Sequence, residues 1–200
     1  MTNARIPEND PFVLFEDWYG EACARVEINP NAMTLATADT QGRPTARTVL
    51  LKGWDSDGFV FYTNLDSRKG RQITANPNAA LLFYWRTLAR QIHIEGSLSP
   101  VSDDEADAYF ATRPRESQLA AWASQQSRPM PGGRGEFEES LAAAGERFEG
   151  MAVPRPPRWS GFRLAPERIE FWQEGEFRMH HRREFRRRFD GGWDSAELYP

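Results

Sequence analysis

Residues 47–69 read RTVLLKGWDSDGFVFYTNLDSRK. Two apolar runs flank a polar turn at Asp55, Asp57 and Gly58, so the stretch folds back on itself as two strands. Ser67-Arg68-Lys69 then opens a helix running to about Ala75 and ended by Asn76-Pro77. Cations at the head of a helix oppose its dipole, so local helix stability does not account for them. A bound anion does. Exposed N–H groups and two cationic side chains make a phosphate site, with Arg47 and Lys52 on the strand just upstream. The competing reading is that these are ordinary solvated cations. Period-2 alternation puts Arg47 and Lys52 on opposite faces of a regular strand, so either a bulge intervenes or the two serve different ligands.

Outward from this stretch, the alternating AMTLATAD (32–39) precedes a turn at Gln41-Gly42-Arg43-Pro44, and a hairpin carries it into a strand over 45–52. Strands follow at 59–64, 79–85 and 90–98. Short strands at close spacing, joined by turns, predict an antiparallel barrel or sandwich rather than a parallel sheet. No Gly-rich dinucleotide fingerprint follows any of them. Upstream, residues 1–9 read as a flexible lead-in. Asp10-Pro11 starts a helix whose Phe15, Trp18, Tyr19 and Ala22 form one aromatic stripe for a core.

Downstream the periodicity changes. Ser102 and Glu105 form a capping box before a helix carrying Ala106, Tyr109 and Phe110 on one face. Tyr109, Arg113 and Ser117 are spaced by four and align if the helical path continues past Pro114 in a second segment, whose apolar face is Leu119, Trp122 and Ala123. Ser127 to Gly135 reads as a mobile loop, and 136–149 as a further helix. Pro154, Pro156 and Pro157 make an extended connector before strands near 160–164, 168–173 and 177–188 and a terminal strand around Trp193. The organisation is α+β, with residues 1–200 as one domain whose late strands, 160–200, complete the early sheet.

The 200 residues are enough to bury a substantial core. A net charge of -4 argues against a nucleic-acid or acidic-membrane partner, and the absence of a long apolar run makes the cytoplasm the expected location. Cys23 is the one cysteine, which excludes an intrachain disulfide. His93, His180 and His181 do not make a metal site, because adjacent strand residues point to opposite faces. The arginine-rich FRMHHRREFRRR at 177–188 invites an RNA reading. Alternation gives a sharper one: on a strand, Arg178, His180 and Arg182 share one face, and Met179, His181 and Arg183 the other. Arg183 and Arg186 to Arg188 then read as a solvated or subunit-facing surface.

RTVLLK at 47–52, FYTN at 61–64, SRK at 67–69 and RQIHIEG at 90–96 are followed by RPRESQLAAWASQQS at 113–127, FWQ at 171–173 and RMHHR at 178–182. In this order they resemble the pyridoxine/pyridoxamine 5′-phosphate oxidases, FMN-dependent enzymes of the split-barrel flavoprotein class, over nearly the whole chain. The resemblance implies an antiparallel split β-barrel with surrounding helices. It also implies a homodimer with FMN at its interface, and oxidation of a phosphorylated B6 vitamer by O2. It implies FMN contacts from Arg47, Thr48, Val49, Leu50, Leu51, Lys52, Tyr62, Thr63, Arg68, Lys69, Gln91, Gln126, Ser127, Trp172 and Arg182. Lys52, Tyr109, Arg113 and Ser117 are implied around the substrate phosphate, a sensible set, since two cations and two hydroxyls can saturate its oxygens. Arg178, Met179 and His180 are implied at the substrate ring, with Arg178 and His180 as the catalytic pair.

Three departures from the family pattern stand out. The N-terminus lacks the Arg- and Tyr-bearing segment that many relatives use to cover the substrate. His181 stands where the family usually has Asp, and Glu197-Leu198-Tyr199-Pro200 stands where Arg-Leu-x-Pro is common. The rivals are a related phenazine-biosynthesis flavin oxidase and a flavin- or pyridoxal-phosphate-binding protein without turnover. Retention of the four phosphate residues speaks against the first, and intact Arg178 and His180 against the second.

Overall fold

The structure is a computed structural model that describes residues 6, 10–26 and 28–200. The predicted lead-in therefore lies outside the described residues except for Ile6. The alternating stretches pair as expected: β1 (Ala32–Ala38) and β2 (Pro44–Leu50) form an antiparallel hairpin in which Leu35 faces Arg47. β3 (Gly53–Asp55), β4 (Gly58–Asn64), β5 (Asn78–Trp85), β6 (Arg90–Pro100) and β7 (Trp159–Gln173) continue the sheet in the order β2-β1-β5-β6-β7-β4-β3. β8 (His181–Arg187) and β9 (Trp193–Glu197) extend it beyond β7, and every pairing is antiparallel.

β2 and β3 stand at opposite ends of that order yet are joined by only Leu51 and Lys52, so the sheet must curl until its ends meet. The backbone marks the seam. Leu51 donates its N–H to Asn31 O at the β1 end, and Lys52 donates to Val60 O on β4, each at 2.8 Å. The fold is thus an α+β antiparallel split barrel, and Lys52 lies past the end of β2 rather than on it. The opposite-face problem between Arg47 and Lys52 disappears because the chain changes pairing partner between them.

Helix α1 (Pro11–Arg25), capped by the Asp10 carboxylate on Phe12 N, plugs the barrel. Phe15 packs edge-on against Phe59 and Phe83, and Trp18 against Phe171, which are inward residues of β4, β5 and β7. α2 (Arg68–Ala75) follows β4, with Ser67 as N-cap. α3 (Asp103–Ala111), α4 (Arg115–Ala123) and α5 (Gly133–Arg147) cover the outer face of β4 and β7 around a second cluster of Phe110, Phe148, Val153 and Trp159. Among the described residues no helix is long and apolar enough to cross a membrane.

Five expectations are corrected. The strands placed at 160–164 and 168–173 are the single strand β7. Pro166 sits at a register shift opposite Glu95 and Gly96, where a proline's missing N–H is tolerated. A side chain at Gly96 would meet Ala165 O at 2.0 Å, so the bulge closes only on glycine. The strand expected from 177 begins at His181, because Phe177 (φ 54°) and Arg178 (φ 66°) both adopt left-handed backbone in a tight turn. Arg178 and His180 therefore do not alternate with Arg182 on one strand. α5 starts at Gly133, so the end of the expected loop is helix. Ser102 Oγ accepts from Glu105 N, but the Glu105 carboxylate turns to Arg163, leaving half a capping box. Arg183, read as surface, is 2% exposed and donates to Ile6 O and the Glu197 carboxylate.

Candidate active site

The side chains expected to form the site fall into three groups. The first lies where β2, β4 and α2 meet. Arg47, on the core-facing side of β2, donates to Leu35 O (3.2 Å), Thr37 Oγ1 (2.7 Å), Thr45 Oγ1 and Gln72 Oε1 (3.3 Å). Thr37 and Thr45 in turn donate to Gln72 Oε1 at 2.7 Å each, which locks the acceptor set. All four acceptors are neutral. Lys69, at the first turn of α2, donates to Thr63 Oγ1 (3.3 Å) and Gln126 Oε1 (3.0 Å), again without a carboxylate. Burial lowers the Arg47 pKa and the neighbouring Arg68 lowers it further; burial, then Arg47, lowers that of Lys69. Desolvated cations held together by neutral oxygens are a site prepared for an anion.

Thr48, Val49 and Leu50 complete β2, an edge strand exposed on alternate residues, whereas Leu51 is buried at the seam. Ser127 follows Gln126 with φ 72°, in an exposed turn.

The second group lies on the outer face of β4 and β7. Tyr62 faces Gly161 across the ladder, where a side chain would come within 2.7 Å of its ring, and Trp159 is its diagonal neighbour. The Tyr62 ring stacks on Tyr109 at 4.1 Å and on Trp159 at 5.2 Å. Lys52 Nζ stands 5.9 Å from the Tyr109 ring, and the Arg113 guanidinium 4.9 Å from Trp159 and 5.6 Å from Phe110. Arg113 Nη1 is buried with no hydrogen-bond partner, and burial lowers the residue's pKa. Ser117 stands half-buried on the first turn of α4, past the helix break at Pro114. Lys52, Tyr109 and Arg113 are brought together. Tyr62, expected at the flavin, lies under Tyr109. Burial, then the charge and hydrogen bond of Glu105, push its hydroxyl up to about 12.

The third group is at the far end of β7. Gln91, Trp172 and Arg182 stand in register across β6, β7 and β8. Glu170 Oε1 accepts from Arg182 Nε at 2.8 Å, and Tyr199 O accepts from its Nη1 at 3.0 Å. The His180 ring lies 4.7 Å from Trp172 and its Nδ1 accepts from Gly175 N at 3.3 Å, which leaves Nε2 to carry the proton of the neutral ring. Arg178 and Met179 project from the exposed left-handed turn. Trp159 and Trp172 sit at opposite ends of the 15-residue β7, roughly 40 Å apart along an extended strand. One chain therefore does not bring the second and third groups together.

A family model described as "Pyridoxamine 5'-phosphate oxidase" matches residues 20–173. This chain belongs to the pyridoxamine 5′-phosphate oxidase family. A second model, described as "Pyridoxine 5'-phosphate oxidase C-terminal dimerisation region", matches residues 159–200, which hold β7, β8 and β9. The pyridoxine/pyridoxamine 5′-phosphate oxidase of Sphingopyxis alaskensis is 57% identical over 96% of this chain and 88% of its own length. That of Zymomonas mobilis subsp. mobilis is 54% identical, covering 96% and 98%. The crystal structure of PhzG from Burkholderia lata 383, in complex with tetrahydrophenazine-1-carboxylic acid, superposes with a TM-score of 0.86 at 34% identity, covering 97% of this chain and 94% of that one.

Sequence reasoning missed Gln72, Trp159 and Glu170. Gln72 was within reach, since it lies one helical turn beyond Arg68 on the predicted helix. Trp159 and Glu170 carry no local signal. Each matters through a neighbour that only sheet register supplies.

Proposed function

We propose that this family member oxidises pyridoxine 5′-phosphate or pyridoxamine 5′-phosphate to pyridoxal 5′-phosphate, with FMN as cofactor and O2 as acceptor. The products besides the aldehyde are hydrogen peroxide and, from the amine with a water consumed, ammonia. The observation that carries the reading is the pair Lys52 and Arg113, held on aromatic faces with no carboxylate among the described residues to neutralise them. Such a pair suits a dianionic phosphate ester. It also disfavours the phenazine-type alternative, for which a phosphate clamp has no use.

The donor set at Arg47, Arg68, Lys69, Thr63 and Gln126 fits the phosphate of FMN, because its cations lack acidic partners among the described residues. Bound FMN would supply the two-electron acceptor that no side chain can provide. The protein's part is binding and orientation. Lys52, Tyr109, Arg113 and Ser117 fix the phosphate, so that binding energy remote from the reacting carbon is used to position it. Arg178 and His180 hold the ring and its oxygen or amine substituent, with His180 Nε2 able to pass a proton there. Because phosphate clamp and ring-binding turn lie at opposite ends of β7, each site takes its clamp from one chain and Arg178, His180 and Arg182 from a second copy, in a homodimer.

The test is an absorbance spectrum of the purified protein before and after anaerobic addition of pyridoxine 5′-phosphate or pyridoxamine 5′-phosphate. A flavin spectrum that bleaches and returns with air is the expected result. A flavin that stays oxidised with both compounds would leave the phenazine-type or non-catalytic reading.

A further inference from the structure

Arginines in this part of the molecule are held in two different ways. Arg163, on β7, is gripped by the Asp55 carboxylate at 2.6 Å and that of Glu105 at 3.4 Å. Arg155 is gripped likewise by Asp103 at 2.7 Å and by Asp107. Arg113, packed on the same strand's Trp159, has no acidic partner among the described residues. Its guanidinium lies over an indole that is itself only 6% exposed.

The difference matters for a group that must bind an anion. A carboxylate would fix Arg113 equally well, but it would cancel the charge and occupy the in-plane N–H groups. An aromatic face attracts the cation from above its plane and leaves those N–H groups for a ligand. The face is itself braced. Trp159 and Tyr62 are parallel to within 7°, Tyr62 and Tyr109 to within 16°, and the Tyr62 hydroxyl is tied to Glu105. Gly161 leaves the room that the Tyr62 ring fills.

We propose that Trp159, braced by Tyr62, is the positioning residue of the phosphate clamp: its ring face holds Arg113 in place without neutralising it, and so sets the preference for a phosphorylated substrate. This rests on the oxidase reading above. It assigns Tyr62 a place in substrate recognition through Tyr109 and Trp159.

The experiment compares the wild-type holoenzyme with Trp159→Leu, Trp159→Phe, Arg113→Ala and the double variant Trp159→Leu/Arg113→Ala. KM and kcat are measured for pyridoxamine 5′-phosphate, kcat/KM for unphosphorylated pyridoxamine, and the Kd of pyridoxal 5′-phosphate by calorimetry. A desolvated cation–π contact predicts that Trp159→Leu raises KM and Kd for the phosphorylated compounds roughly tenfold, with Trp159→Phe giving about a threefold rise. kcat and the unphosphorylated substrate should be little affected, and Trp159→Leu should add nothing once Arg113 is gone. An unchanged KM, an equal loss for both substrates, or full additivity with Arg113→Ala would overturn the assignment. Should the Leu variant not fold, Trp159→Phe and its cycle with Arg113→Ala decide by the same criteria. Wild-type protein that turns over neither substrate would instead remove the oxidase reading, which separates the two failures.

Discussion

Trp159 and Trp172 occupy the two ends of one strand, β7, and each packs against a different group of the expected site residues. Trp159 lies under the Arg113 guanidinium at 4.9 Å, and Trp172 lies 4.7 Å from the His180 ring. A strand of this length separates them by roughly 40 Å, far more than a vitamin-sized ligand can span.

Two inactive variants should therefore rescue one another. Arg113→Ala and His180→Ala homodimers are each expected to be nearly inactive at low substrate. Unfolding and refolding them together yields mixed dimers in which one of the two sites is intact. With random assortment the recovered activity is roughly a quarter of wild type. Activity no greater than the sum of the parents would mean that each site is built from one chain.

Arg113→Ala alone should raise KM for the phosphorylated substrate by roughly 30-fold to 150-fold, the loss of a charge-assisted contact of about 2–3 kcal/mol. Flavin content should not change, because Arg113 makes none of the hydrogen bonds of the Arg47 and Lys69 network. Steady-state kinetics on protein of measured flavin content checks both halves.

FMN retention should weaken on the alkaline side earlier than an ordinary lysine would dictate. Lys69 binds an anion only when protonated, and burial beside Arg47 lowers its pKa from the usual value of about 10.4. Affinity is then full below the lowered pKa and falls as pH rises through it. Anion binding itself should pull that pKa back up. Lys69→Arg should flatten the profile, as followed by flavin fluorescence on release. A profile identical in wild type and Lys69→Arg would remove Lys69 from the site.

On the acid side, Glu184 should set part of the stability curve. Burial pushes its pKa up, but hydrogen bonds from Arg168 and Arg186 outweigh this and hold the carboxyl below its ordinary range. A lowered carboxyl pKa contributes stability that is present above the unfolded value of about 4.3 and is lost as pH falls through the folded one. Glu184→Gln should cost about 2 kcal/mol at pH 7, near 5 °C in Tm. The gap from wild type should narrow as pH falls below the unfolded value and close once the lowered folded pKa is passed. A gap that persists there would mean that Glu184 acts by packing alone.

Residue order alone determined the elements whose cause is local. Asp10-Pro11 starts a helix, Ser67 and Ser102 cap two more, alternation marks β1, and short runs bounded by turns mark β2, β4, β5 and β6, because capping, pleat periodicity and turns act within a few residues. The same locality explains why Ser67-Arg68-Lys69 could be read as an anion site from dipole arguments. The break expected between 164 and 168 is absent for a related reason, since a proline such as Pro166 that interrupts a strand locally is accommodated where the pairing shifts register opposite it. What tertiary structure decided is everything set by pairing between distant segments. The seam at Leu51 and Lys52 exists because the sheet curls its ends together, and no local pattern records that closure. The burial of Arg183 depends on Ile6 and Glu197 arriving from the two chain termini. The π-face support of Arg113 depends on a register that brings Trp159 beside Tyr62, and through it beside a helix nearly fifty residues earlier in the chain. Local physics selects the elements, and long-range register determines which of their side chains act together.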